Sequence, residues 1–305
     1  MPTPPARASV LLRGDTLCLG DYLQVSLQRT LRVPDLGPER SYALPVSLGQ
    51  LPLAWARDHP DTPAGWHGAL FVPLHRREAL WLGFSAPDWH PCAIRVGVGD
   101  VDAVSGTPLT AGLADMPQNY LVCPLQPWLD GVNAGPGQVR QFVAVPLGSG
   151  LTVEGQLSGQ ERVGAIQLVL HEARPGRFAE EAPPKDHRSL PLSLPQEAAT
   201  LGLAPGGRIR QRLYRDPYGL ATWASDPSAS VTIHLLDSRE YKRVTGRPAP
   251  PSPIDEQTYR ERGLPWFDLD DEALPAVPSA TSLRNLKGLP DEAPPGNMQT
   301  PDQLS

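Results

Sequence analysis

Leu23, Val25, Leu27 and Arg29 alternate with Gln24, Ser26 and Gln28. A period of two puts one set on each face, which predicts a half-buried antiparallel strand. Ahead of it, the runs ASVLLRG and TLCLG are punctuated by turns at Gly14-Asp15 and Gly20-Asp21, and Pro34 ends the segment. HGALFVPL (67–74) and ALWLGFS (79–85) predict two more strands, with a turn or bulge at HRRE (75–78). CAIRVGVG (92–99) predicts another, and VDAVSG (101–106) continues it or folds back as its hairpin partner. The densest stretch runs from Tyr120 to Leu170, with strands expected near 120–125, 138–145 and 163–171 and a shorter one at 151–157. Residues 34–66 carry Pro, Asp and Gly with Leu and Trp at irregular spacing, which predicts a long ordered loop.

From Ala173 the pattern changes. Residues 174–198 are charged and Pro-rich and predict a linker or surface excursion. LGLAPGGRIRQ regains apolar anchors around a Gly-Gly pair, which predicts a tight turn. SVTIHLL (230–236) predicts a strand. DSREYKRVTG predicts a short helix, with Asp237 or Ser238 as its cap and Gly246 as its end. A second capped helical turn is expected before Gly263, and the segment from Leu269 to Ser305, without aromatic residues or periodicity, predicts disorder.

About nine short strands at roughly 10–15-residue intervals, without helices between them, predict a mainly β protein. The expected architecture is an antiparallel β-sandwich, jelly-roll-like, over residues 7–175. A Pro-rich linker (176–200) leads to a small α+β extension (201–268) that packs on the sandwich as an accessory segment. Composition strengthens this picture. Proline fills 37 of 305 positions, about 12% against a usual ~5%, which disfavours long helices. The net charge of −6 offers no footprint for a nucleic-acid backbone. No apolar run reaches the ~18 residues of a membrane span, and the N-terminal stretch has no apolar signal core. Cys18, Cys92 and Cys123 are odd in number and far apart in sequence. They predict buried reduced thiols rather than a disulfide framework or a zinc site. A cytoplasmic location follows as an expectation.

Candidate chemistry concentrates in QPWLDG and the strand after it. In an extended chain Gln126, Trp128 and Asp130 share one face, and an aromatic plate beside an amide and a carboxylate suits a polar ligand. The opposing reading has Gln126 bonding backbone and Asp130 closing a turn before Gly131. Arg140 and Gln141 open the next strand, where arginine forks suit carboxylates or anions. Trp81 and Trp266 complete the candidate ligand-binding set of Trp128, Asp130, Arg140, Gln141, Trp81 and Trp266. Asp130, Glu154 and Asp268 are candidate acids for a glycoside-type hydrolysis, which needs two carboxyls ~5–9.5 Å apart. The seven histidines are scattered without an HxH pair. Asp100 and Asp102 resemble the start of a calcium loop, but no third ligand falls at the needed offset. No metal and no cofactor are therefore expected, and no nucleophile motif is present.

QRTLRVPD (28–35), HRREALWLGF (75–84), NYLVCPLQPWLDG (119–131), RQFVAVPLGSG (140–150), GLAPGGRIRQ (202–211), DPYGLATW (216–223) and GLPWFDL (263–269) carry a resemblance. Over residues 25–270 the chain resembles a family of bacterial and fungal proteins to which no activity is attached. Members tend to show Tyr-Gln at Leu74-His75 and Met at Val145, read as packing variants. The resemblance implies that residues 201–268 work with the sandwich as one unit, and it implies no catalytic residues. The functional expectation is a non-enzymatic binding or assembly module for an unidentified protein or small polar ligand, without nucleic acid or membrane. Two alternatives stand beside it: a hydrolase of a carbohydrate or similar substrate, and a structural homo-oligomer.

Overall fold

The computed structural model describes residues 10–35, 41–109, 112–179, 201–250, 266–267, 276–278 and 280–289. β1 (Val10–Arg13) and β2 (Thr16–Leu19) form the hairpin expected at Gly14-Asp15. β3 (Leu23–Thr30) follows the alternation, burying Leu23, Val25 and Leu27 and leaving Gln24 exposed. The segment read as a long loop contributes three short strands, β4 (Leu44–Pro45), β5 (Ser47–Gln50) and β6 (Ala54–Trp55). The described part of this segment holds no α-helix, only the 3-10 turns Ala56–Asp58 and Ala64–Trp66, and its prolines do not stop two to four residues from pairing with a neighbour, as β5 does with β3.

β7 (Leu70–Pro73), β8 (Ala79–Ser85) and β9 (Cys92–Val98) lie where the apolar runs placed them. β10 (Val101–Asp102) is the hairpin partner of β9. Then come β11 (Leu121–Cys123), β12 (Trp128–Leu129), β13 (Gly131–Gly135) and β14 (Gln138–Pro146). The strand expected at 151–157 is instead a helix, α1 (Val153–Ser158). Thr152 caps it by accepting the Gly155 N–H at 3.0 Å, and Gly159 ends it in the left-handed region. A capping Thr and a closing Gly bracket a single helical face here, and over so few residues they outweigh an apparent period of two.

β15 (Ala165–His171), β16 (Leu201–Arg210), β17 (Ala229–Leu236) and α2 (Ser238–Thr245) follow. Of the two cap candidates it is Asp237 that caps α2, and Gly246 closes it as expected. β18 (Trp266–Phe267) pairs with β4 away from the main sheet, and α3 (Thr281–Arg284) ends the described elements. The second helical turn expected before Gly263 lies outside the described residues.

The mainly antiparallel β class holds. Among the described residues sixteen strands join in one sheet, ordered β1-β2-β3-β8-β14-β16-β17-β15-β9-β10, with β5, β6, β7, β11, β12 and β13 attached along it. The ladder between β7 and β17 is parallel, and the others along the path are antiparallel. Among the described residues the hydrogen bonds thus draw one continuous sheet. One apolar cluster lines its inner side, including Leu27, Leu82, Ile94, Phe142, Leu168 and Ile233. The ion pair of Arg29 and Glu78 is enclosed beside it.

Residues 201–236 are not peripheral to this sheet: β16 and β17 sit at its centre, between β14 and β15. The Gly-Gly pair is also not a tight turn. Gly206 and Gly207 lie within β16, at a bulge against β14. A Cβ on Gly207 would stand 2.3 Å from the Pro34 carbonyl oxygen, so this glycine lets residues 33–34 cross the strand closely, while Gly206 makes room for Val143 and Gln141 of β14. The disorder expected from 269 onward gives way over 276–289. Val277, Leu283, Leu286 and Leu289 are buried there. The segment is tied down by Asn133 to the Pro278 carbonyl (3.1 Å), Gln156 to the Lys287 carbonyl (3.1 Å) and the Leu289 N–H to Pro205 (2.9 Å). These four stand at multiples of three residues; Val277, Leu283 and Leu286 join the main apolar cluster, and Leu289 joins Ala79, Val143, Val145 and Ala204.

Candidate functional site

The residues singled out around QPWLDG do not assemble into one open site. Gln126 is spent on backbone: its amide donates to the carbonyls of Trp128 and Arg212 and accepts the Tyr214 N–H. Asp130 is 1% exposed, and its own N–H is held by Gln211. Gln141 is fully buried, accepting the Val33 N–H at 2.9 Å and donating to the Leu31 carbonyl at 2.8 Å. Arg140 is buried against Asp35, at 2.7 Å. Gln141 and Arg140 thus pin the 31–35 crossover to β14. Trp81 and Trp128 do come to one side of β8: Trp128 pairs with Gly83, two residues from Trp81. Both are partly exposed, and neither indole N–H has a hydrogen-bond partner. Trp266 is placed by its backbone alone, opposite Pro45 on β4.

Of the candidate acids, Glu154 sits on α1 and Asp130 between β12 and β13. Asp268 lies outside the described residues. Glu154 accepts the N–H groups of Val163 and Gly164 (3.1 and 3.3 Å), and burial pushes its carboxyl up, with Asp100 adding to the rise. Asp102 forms a buried pair with Arg95 at 3.0 Å and caps the turn by accepting from Val104 and Ser105. The calcium-like run is therefore an internal ion-pair turn. Among the described residues no group of three or more His, Cys, Asp or Glu side chains is placed to hold a metal. DPYGLATW is a structural knot. Asp216 accepts the Tyr120 hydroxyl (2.6 Å), the Trp223 indole (2.8 Å) and the Tyr218 N–H (2.7 Å), beside a pocket of about 470 Å³.

A larger groove, of about 730 Å³, lies over β17 and β15. Its floor follows from strand alternation. Ser230, Thr232 and His234 project from β17 on the side opposite the buried Val231, Ile233 and Leu235. Register pairs Thr232 with Gln167 and Ser230 with Val169, so both strands present the same face. One wall is Trp66, from the 3-10 turn Ala64–Trp66, and the other includes Leu109, Leu147 and Arg162. Trp66 stacks on His234 with ring centroids 3.7 Å apart and planes 3° off parallel.

Two polar atoms of this groove are enclosed without a partner. His234 Nδ1 has no hydrogen bond, and burial lowers the imidazole to about 4, so the ring is neutral near pH 7. Gln167 is 8% exposed: its Nε2 donates to Asp100 at 2.9 Å, while its Oε1 has no partner. Gly97 lies opposite Gln167 on β9, and a Cβ there would meet Leu109 at 2.3 Å and Gln167 Oε1 at 2.9 Å. The glycine lets both side chains close over the strand. A second pocket of about 400 Å³ shares Arg162 and Val163 with the groove and opens on Asp100, Glu154 and Ser158.

Sequence reasoning missed this groove. SVTIHLL carried the signal, since Ser230, Thr232 and His234 at alternate positions make a polar face with an imidazole. Trp66 carried none, because it arrives from an irregular segment. Among the described residues no helix is long and apolar enough to cross a membrane. The chain matches no family model, no curated protein and no solved structure.

Proposed function

We propose that this protein is a cytoplasmic, non-enzymatic binding module that takes a small, uncharged polar ligand in the groove between Trp66, His234 and Gln167. The observation that carries the reading is the buried Gln167 Oε1 without a partner. A buried acceptor left unsatisfied costs about 1–3 kcal/mol, which a ligand hydroxyl or amide N–H would recover. The neutral His234 and the hydroxyls of Ser230 and Thr232 extend the same chemistry along the strand. Convergent polar groups in a groove of this size are the usual make-up of a small-molecule site.

The test is native mass spectrometry of the protein purified gently from its own host, beside a Gln167→Leu variant. Support would be a defined small-molecule adduct on the wild type that the variant loses while its unfolding free energy in urea stays within about 1 kcal/mol of wild type. The small cost is expected because the substitution also removes an unsatisfied atom. A wild type without adduct, or an adduct that the variant keeps, removes the groove as the site.

A further inference from the structure

Cys92 opens β9 and Cys123 ends β11, and the antiparallel register sets them directly opposite each other. Both are free and buried. Opposed residues of an antiparallel pair have Cα atoms ~4.5–5.5 Å apart and side chains on one face. That separation falls inside the ~4.4–6.8 Å a disulfide spans. Cys123 Sγ donates to the Gln126 carbonyl oxygen at 3.6 Å, and the neighbouring Cys92 adds to burial in raising the Cys123 thiol. The third thiol is elsewhere: Cys18 faces Leu11 and Gln24 across its ladders.

We propose that Cys92 and Cys123 form a reversible dithiol–disulfide pair, a covalent latch between β9 and β11 that a small disulfide oxidant closes. β11 is three residues long, and its ladder is with β9 alone among the described residues. All three of its residues are buried, so the latch requires β11 to open locally, below the cost of global unfolding, before it can close. Opening frees the Cys123 thiolate to attack one sulfur of the oxidant. The oxidant's S–S bond breaks, a mixed disulfide forms and one small thiolate leaves. The Cys92 sulfur, as its thiolate, then attacks the Cys123 sulfur, forms the internal S–S bond and expels the second small thiolate. The protein loses two electrons and two protons, and the oxidant is reduced to two thiols. In the closed strand burial keeps the Cys123 thiol protonated and unreactive, so the reaction waits on the opening of β11.

The test treats the native full-length chain with excess glutathione disulfide, then denatures it, alkylates it with iodoacetamide and reads the intact mass. The expected product is lighter by two hydrogen atoms and carries one alkyl group, on Cys18, where the untreated chain carries three; a reductant restores all three. Cys18→Ser still closes, whereas Cys123→Ser and Cys92→Ser do not. Should those two variants fail to fold, the Cys18→Ser chain decides alone: it must yield a mass loss of two hydrogen atoms with no alkyl group. Three alkyl groups on the treated wild type, a lasting glutathione adduct on either cysteine, or a bond to Cys18 each overturns the proposal.

Discussion

His234 and Glu78 show how burial alone sets the charge of a side chain. Burial lowers His234 from its ordinary 6.5 to about 4 and raises Glu78 from 4.5 to about 7, against the pull of Arg29. The signs of their contributions to stability are opposite. The folded chain releases the His234 proton more readily than the unfolded chain, so its stability is full above about 6.5 and is lost as pH falls toward 4. The folded chain keeps the Glu78 proton longer, so that contribution is full below about 4.5 and is lost as pH rises toward 7. Urea midpoints measured across this range should therefore fall less steeply on the acid side in His234→Phe than in wild type. Parallel profiles for the two proteins would mean that His234 titrates normally. Among neutral side chains the same contrast separates Gln141, with both ends satisfied by backbone, from Gln167, whose buried Oε1 has no partner. Residue type does not distinguish them.

At the level of elements, glycines decide where strands approach. Gly131 in QPWLDG reads from sequence as the second half of an Asp-Gly turn, yet it begins β13 and pairs with Gln141. A Cβ there would stand 1.7 Å from the Arg140 carbonyl oxygen and 2.9 Å from Gln141 Cα, both backbone. No rotamer relieves such a clash, so Gly131→Ala must part β13 from β14. The expected loss is more than about 3 kcal/mol, beyond ordinary overpacking, read as a drop in urea midpoint. A variant as stable as wild type would show that the two strands are not paired in this register. Capping behaves differently, because its chemistry is local. Asp237 and Gly246 announced α2 correctly, and Thr152 and Gly159 announce α1 to a reader who weighs caps above alternation.

For the whole molecule the late chain is structural. β16 and β17 complete the sheet between β14 and β15, and residues 276–289 cover β13 and β14. Leu283 on α3 is fully buried in the main apolar cluster. Leu283→Ala should cost about 2–5 kcal/mol, as a core truncation does. Arg284→Ala, at an exposed position, should stay within about 0.5 kcal/mol. Equal and small effects in both would place the segment off the core. The sheet also explains why the candidate aromatic and charged residues part company. Trp81 and Trp128 stay on the open side of β8, while Arg140 and Gln141 are covered by the 31–35 crossover.

Sequence by itself determined the local features: the β class, the alternation of β3, β8 and β17, the turns at Gly14 and Gly20, and α2 with both its caps. Each depends on contacts within a few residues, where side-chain period, glycine freedom and capping act directly. Only the tertiary structure decided which strands adjoin, and with that nearly everything about the site. It set the Trp66–His234 stack, the pairing of Gln167 with Thr232, the meeting of Cys92 and Cys123, and the burial of Arg140, Gln141 and Asp130. These partners come from distant parts of the chain. Their order is fixed by how one sheet closes over a shared core, a global packing condition that no local pattern encodes.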